Sequence, residues 1–164
     1  DCPAISNSQG FIPVLPTYQH PAFDSVYAAG VIVELTPHEA TPIPTGLPKT
    51  GQMTEAMGMA AAHNIARQLN SNLGAPVTAT LAAICMSDFG DRGIIFIADP
   101  VQREPGMVKR RRCVALEGRW VSWSKTLFEL FFLTKMRWGL TIPWFEKLGL
   151  KTLGLQLVRP LPPD

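Results

Sequence analysis

Apolar positions in this chain fall into short continuous runs and into stripes spaced three and four residues apart, separated by proline- and glycine-rich stretches. Residues 1–24 are turn-rich, with Gln9-Gly10, Pro13, Pro16 and His20-Pro21. The unbroken run at residues 26–33 predicts a strand buried on both faces of a parallel sheet. Residues 36–50 carry Pro37, Pro42, Pro44 and Pro48 and predict a semi-extended loop. Met53, Met57, Ala60, Ala61, Ile65 and Leu69 then recur at helical spacing, with Glu55, Asn64 and Arg67 off that stripe. This predicts one amphipathic helix from Thr50 to about Leu69, ended by the turn residues of 70–76.

Residues 77–87 are β-branched and small and predict a strand. Residues 88–93 supply turn chemistry, and residues 94–98 predict the returning strand of a hairpin. Residues 103–112 are basic and read as a solvated excursion, after which residues 113–116 predict a third short strand. The last forty residues change character. At 100° per residue, Trp120, Trp123, Leu127, Phe131 and Trp138 share one helical face, with Lys125 and Glu129 opposite. A second amphipathic segment after Pro143 holds Trp144, Phe145, Leu148, Leu150, Leu153 and Leu155, with Lys147 and Lys151.

Composition narrows the picture. The 164 residues are one domain's worth of chain, 46% hydrophobic and 17% charged, so a core is affordable and disorder is excluded. A net charge of +2 offers no basic face for nucleic acid. The longest stretch free of acidic, basic and histidine side chains, residues 68–87, holds Asn70, Asn72, Gly74 and Pro76 and is no transmembrane helix. The cysteines at 2, 85 and 113 are odd in number and show no metal-ligand spacing, and His20, His38 and His63 lie far apart, so no metal site is expected. The chain opens Asp1-Cys2-Pro3 without Met and reads as a fragment whose natural N-terminus lies elsewhere.

Three places could carry chemistry. The helix start at Lys49-Thr50-Gly51 offers unpaired N–H groups and a cation, and reads either as an anion site or as an ordinary helix capped by Thr50. Cys85, at the end of a strand before a turn, reads either as a buried hydrophobe or as a redox thiol. The aromatic C-terminal segments read either as helices packed on the sheet or as an in-plane membrane anchor, with all four Trp and the basic Arg119, Lys125, Lys135, Arg137, Lys147 and Lys151 in one stretch.

Taken in order, several segments resemble the C-terminal half of sulfide:quinone oxidoreductases, FAD-dependent members of the pyridine nucleotide–disulfide oxidoreductase superfamily. The landmarks are Gly10-Phe11-Ile12-Pro13-Val14, Val26-Tyr27-Ala28-Ala29-Gly30-Val31, Pro44-Thr45-Gly46-Leu47-Pro48-Lys49-Thr50-Gly51, His63-Asn64-Ile65, the stretch from Ala83 through Cys85 to Gly93, and Gly118-Arg119-Trp120-Val121. The Pro-Thr-Gly-x-Pro-Lys-Thr-Gly run followed by a cysteine-bearing strand is the specific part.

The resemblance implies an α+β fragment of a Rossmann-like protein with two dinucleotide-binding domains. Residues 1–70 would end the FAD domain, residues 71–118 would form a small sheet carrying Cys85, and residues 119–164 would form membrane-associating amphipathic helices and a tail. Gly30 and Val31 would contact FAD through their backbone, and Lys49, Thr50 and Gly51 would lie at the flavin's pyrimidine edge. Cys85 would be the catalytic thiol, bridged by sulfur to a cysteine of an N-terminal half that is absent here. Met86, Phe128 and Phe132 would flank the quinone. Sulfide and quinone would be the substrates, with electrons passing through FAD. The protein would sit peripherally on a membrane, the bacterial cytoplasmic membrane by expectation, and the fragment alone would be inactive. A type II NADH:quinone oxidoreductase, the flavoprotein subunit of a flavocytochrome c sulfide dehydrogenase and a non-catalytic interaction module are the competing readings.

Overall fold

A computed structural model describes residues 5–35, 49–99, 112–140 and 142–161. The Pro-Thr-Gly landmark at 44–48 and most of the basic excursion, residues 103–111, lie outside the described residues, as does Cys2. The chain divides into two compact units, one built mainly from residues 1–81 and the C-terminal tail from 157, the other mainly from residues 82–101 and 108–156.

The first unit is organised by a helix. β1 (Gln19–His20) and β2 (Phe23–Tyr27) form an antiparallel hairpin, α1 runs Gly51–Leu69, and a 3-10 turn at Ser71–Leu73 leads into β3 (Val77–Ala79). β3 pairs antiparallel with the C-terminal β7 (Val158–Pro160). The helix begins where its sequence predicts. Thr50 is the N-cap, its hydroxyl accepting from the Met53 N–H at 3.3 Å, which satisfies a donor the helix itself cannot pair. Met53, Met57, Ala60 and Ala61 of the predicted stripe are buried, as are Tyr18, Ala28, Val33 and Ala79 of the same unit.

Two expectations for this unit's first seventy residues need correction. Ile65 and Leu69 are exposed, whereas Asn64, predicted to lie off the stripe, is buried. Its amide nitrogen donates to Thr17 O (2.9 Å) and Val77 O (2.7 Å), and its oxygen accepts from Val77 N (2.9 Å). A fully bonded amide can be buried at small net cost. The second correction concerns residues 26–33. Strand β2 stops at Tyr27; Ala28-Ala29-Gly30 is irregular backbone, Gly30 has φ +88°, and only Val33 returns to pairing, through one isolated parallel bridge to Ile12. The apolar composition is that of a strand, but the left-handed glycine breaks it.

The second unit is an antiparallel meander of β4 (Ala83–Asp88), β5 (Gly93–Asp99) and β6 (Arg112–Gly118), followed by α2 (Arg119–Trp138) and α3 (Trp144–Thr152). The predicted hairpin and third strand are present. The predicted single strand at 77–87 is not: it is broken at residues 80–82, and β3 and β4 join different sheets. Helix α2 packs on one face of the meander. A side chain on Gly93 would place its Cβ 2.7 Å from Val121 Cγ1, so glycine permits the contact, and Val121 is fully buried. The Ser122 hydroxyl adds a bond to Asp88 Oδ1 at 2.7 Å. Lys125, Phe128, Phe132 and Lys135 follow Val121 at spacings of four and three and continue its stripe.

Candidate functional site

In the first unit the structure brings five predicted residues together. Gly30 starts a tight turn in which Val33 N donates to Gly30 O at 3.2 Å, and the Gly30 N–H points at Met57 Sδ of α1 at 3.4 Å. A Cβ at Gly30 would meet Thr54 Cγ2 at 3.2 Å and would require the strained positive φ besides. The turn therefore runs against the first turns of α1 because residue 30 has no side chain. Val31 is 65% exposed, so its contribution there is backbone.

Lys49 joins this turn to the helix start. Its ammonium donates to Val31 O at 2.8 Å and to Val33 O, and lies 4.4 Å above the centre of the Phe11 ring. Carbonyl dipoles and an aromatic face orient the cation without neutralising it. The full charge stays beside the N-terminus of α1, where the first N–H groups and the helix dipole already favour negative charge. Thr50 is half-buried and committed to capping, and Gly51 is exposed. This donor set fits an electron-rich heteroaromatic edge that becomes anionic when reduced, which is the chemistry of a flavin's pyrimidine ring.

In the second unit Cys85 lies mid-strand on β4, half-buried and unpaired, directly opposite Phe96 of β5. Met86 is opposite Ile95. Successive strand residues point to opposite faces. Met86 thus shares the face of Ile95 and Gly93, on which α2 packs, while Cys85 shares the other face with Phe96 and Ala115. Phe96 and Ala115 are exposed. The candidate thiol and the candidate quinone residue are neighbours in sequence separated by the sheet. Phe128 and Phe132 do come together, their rings stacked at 6.0 Å and 23° on the stripe of Val121.

The outer surface of the helices is apolar. Trp120, Trp123, Leu127, Leu130 and Trp138 of α2, and Trp144 and Leu148 of α3, are all at least half exposed. The helical-face expectation is met, with Phe131 turned instead to an edge contact with Phe145 at 5.3 Å. None of the described helices is long and apolar enough to cross a membrane. One basic residue grouped with the anchor is not at its rim: Lys135 is only 4% exposed, and its ammonium contacts both carboxylate oxygens of Glu146 at 3.1 and 3.3 Å. Its signal was its place on the inner stripe of α2.

No protein-family model matches the chain. Over 130 residues, 79% of this chain, it is 42% identical to the sulfide-quinone reductase of Aquifex aeolicus strain VF5, of which it covers 29%. In fold it matches the crystal structure of the sulfide:quinone oxidoreductase of Aquifex aeolicus with a TM-score of 0.84 and 35% identity, covering 98% of this chain and 37% of that one. The chain thus spans about a third of the length of the proteins it matches. The resemblance to the sulfide:quinone oxidoreductases holds in sequence and in fold.

Proposed function

We propose that this chain is part of a membrane-peripheral flavoenzyme that oxidises sulfide to sulfur or polysulfide and passes the electrons through FAD to a quinone. The observation that carries the reading is Cys85: half-buried and unpaired on a rigid strand, in a chain 42% identical to a sulfide-quinone reductase. Residues 1–70 then close a FAD-binding domain of a protein with two dinucleotide-binding domains, residues 71–118 carry the thiol, and residues 119–164 attach to the membrane surface, with the remainder of the enzyme completing the flavin site.

FAD supplies a two-electron acceptor when bound. The residues that would hold it are Gly30 and Val31 through backbone atoms, and Lys49, Thr50 and Gly51 at the start of α1. Lys49 stabilises the negative charge of the reduced state, and its bonds to Val31 O and Val33 O mean that it need not reorganise to do so. Cys85 Sγ accepts sulfur: sulfide attacks a sulfur–sulfur bond there and a thiolate leaves. Met86, Phe128 and Phe132 offer an apolar wall to the quinone ring. A quinone dissolved in lipid must enter from the bilayer, and the exposed Trp and Leu face of α2 and α3, rimmed by Arg137, Lys147 and Lys151, suits an anionic lipid surface.

The test is Cys85→Ala in the intact protein carrying this sequence. Sulfide-dependent quinone reduction should fall by at least about 1,000-fold, since losing a covalent nucleophile costs up to about a millionfold in kcat, while bound FAD absorbance is unchanged. Undiminished turnover with sulfide, or NADH-dependent quinone reduction that ignores the substitution, refutes the assignment.

A further inference from the structure

The ion pair between α2 and α3, buried at Lys135 and half-buried at Glu146, is not used by the redox chemistry proposed above. Among the described residues of α3 none is buried, so little apolar area holds this helix in place. Its side-chain ties to α2 include the Lys135–Glu146 pair and the edge contact of Phe131 with Phe145. Lys135 sits in the last turn of α2, just before Gly139 ends the helix in the left-handed conformation, and Glu146 lies in the first turn of α3. Leu140 N donates back to Lys135 O at 3.0 Å.

We infer that Lys135 and Glu146 form a clasp that sets which face of α3 turns outward, so that Trp144 and Leu148 join the apolar face of α2 as one lipid-binding surface. The inference rests on the membrane reading above. The argument is one of specificity. Trp144, Phe145 and Leu148 of α3 are all at least 49% exposed, so apolar contact alone gives the helix no preferred rotation. In contact with lipid that preference weakens further, because acyl chains are as apolar as the facing helix. A charged pair behaves in the opposite way. Water excluded by the bilayer strengthens the attraction, and turning either charge towards lipid is costly. Glu146 must therefore face Lys135, and Trp144 and Leu148, two residues away on either side, are carried to the outer side. A buried ion pair is a poor source of stability but a good specifier of register.

The probe is phosphatidylcholine–phosphatidylglycerol vesicles containing brominated acyl chains, which quench tryptophan at bilayer depth. The intact protein carries Trp144 as its only fluorophore among residues 119–152, with Trp120, Trp123 and Trp138 changed to Phe. Lys135→Met should cut quenching of Trp144 at least twofold and vesicle partitioning about tenfold, the equivalent of about 1.4 kcal/mol. The swapped pair Lys135→Glu with Glu146→Lys should restore both. Unchanged quenching in Lys135→Met overturns the clasp, and so does a loss that the swap fails to restore, since that marks general damage. If the parent protein itself does not float with the vesicles, the membrane reading fails instead, and the clasp with it.

Discussion

Gly93→Ala tests how α2 is seated. The added methyl would lie 2.7 Å from Val121 Cγ1, 3.0 Å from Val121 Cβ and 2.9 Å from the backbone oxygen of Ser87. Neither the branch carbon of a fully buried valine nor a strand carbonyl can swing away, so the helix must lift or the hairpin must spread. Gly93 opens β5 without a positive φ, and replacing such a glycine by alanine would by itself stabilise by about 0.4–1 kcal/mol through the unfolded chain. Overpacking a well-packed contact costs about 1–3 kcal/mol. The second effect is the larger, and the net loss should be about 1–2 kcal/mol. Urea unfolding followed at once by far-ultraviolet circular dichroism and by tryptophan fluorescence measures it, since Trp120 and Trp123 flank Val121. Val121→Ala removes the obstructing methyls, so in a double-mutant cycle the two changes should couple favourably by at least about 0.5 kcal/mol. A Gly93→Ala protein as stable as its parent, or strictly additive effects, would refute the packing argument.

Two further outcomes follow from other contacts. Asn64→Leu keeps the volume of the side chain but strands Val77 N–H and the carbonyls of Thr17 and Val77, and should destabilise by about 2–4 kcal/mol; a urea midpoint shift worth less than about 1 kcal/mol would show that water takes over those bonds. The Asp88 carboxyl is held below its ordinary value near 3.8 by the Ser122 hydroxyl first, then by the Gly90 N–H, with a smaller contribution from the charge of Lys125. Because the folded value is the lower one, its contribution is present above the ordinary value and is lost as pH falls below it. Asp88→Asn should therefore be less stable than the parent at pH 6, with the gap closing as the pH falls below about 3.8; parallel acid profiles would show that the bond to Ser122 adds nothing.

The extent to which the sequence was legible depends on how local the deciding interactions are. Helix α1 could be read because its signals are local: an N-cap at Thr50 and a stripe of Met and Ala. Asn64 was misplaced because its partners lie 13 and 47 residues away, and nothing nearby announces that a polar side chain will be satisfied inside. The run at 26–33 has strand composition, yet the backbone groups that a neighbouring strand would have paired are taken instead by Lys49, on Val31 O and Val33 O, and by the Gly30 turn. The break between β3 and β4 was invisible for a similar reason: β3 finds its partner in β7, some eighty residues on. Of the site, the residue types could be read from motifs, and the grouping of Gly30, Val31 and Lys49 emerges only from the fold.

Parity is the point at which local sequence and function meet. In an extended strand one position decides the face, so Cys85 and Met86 cannot act on the same side of the sheet. On the proposed reading this is what the chemistry requires. Sulfide arrives from water and must reach a thiol on a face not covered by α2, whereas quinone arrives from lipid and must reach residues on the face that α2 covers. Helix α2 then has two duties, divided between its sides. Val121 of its inner stripe packs on the sheet and Lys135 of the same stripe holds α3, and its outer side presents Trp123, Leu127 and Leu130. Inserting one residue in β4 before Cys85 would leave the identity of every existing side chain unchanged, yet it would exchange the two faces. The function proposed for this chain therefore depends on the register of β4 against β5 as directly as on the identity of any side chain.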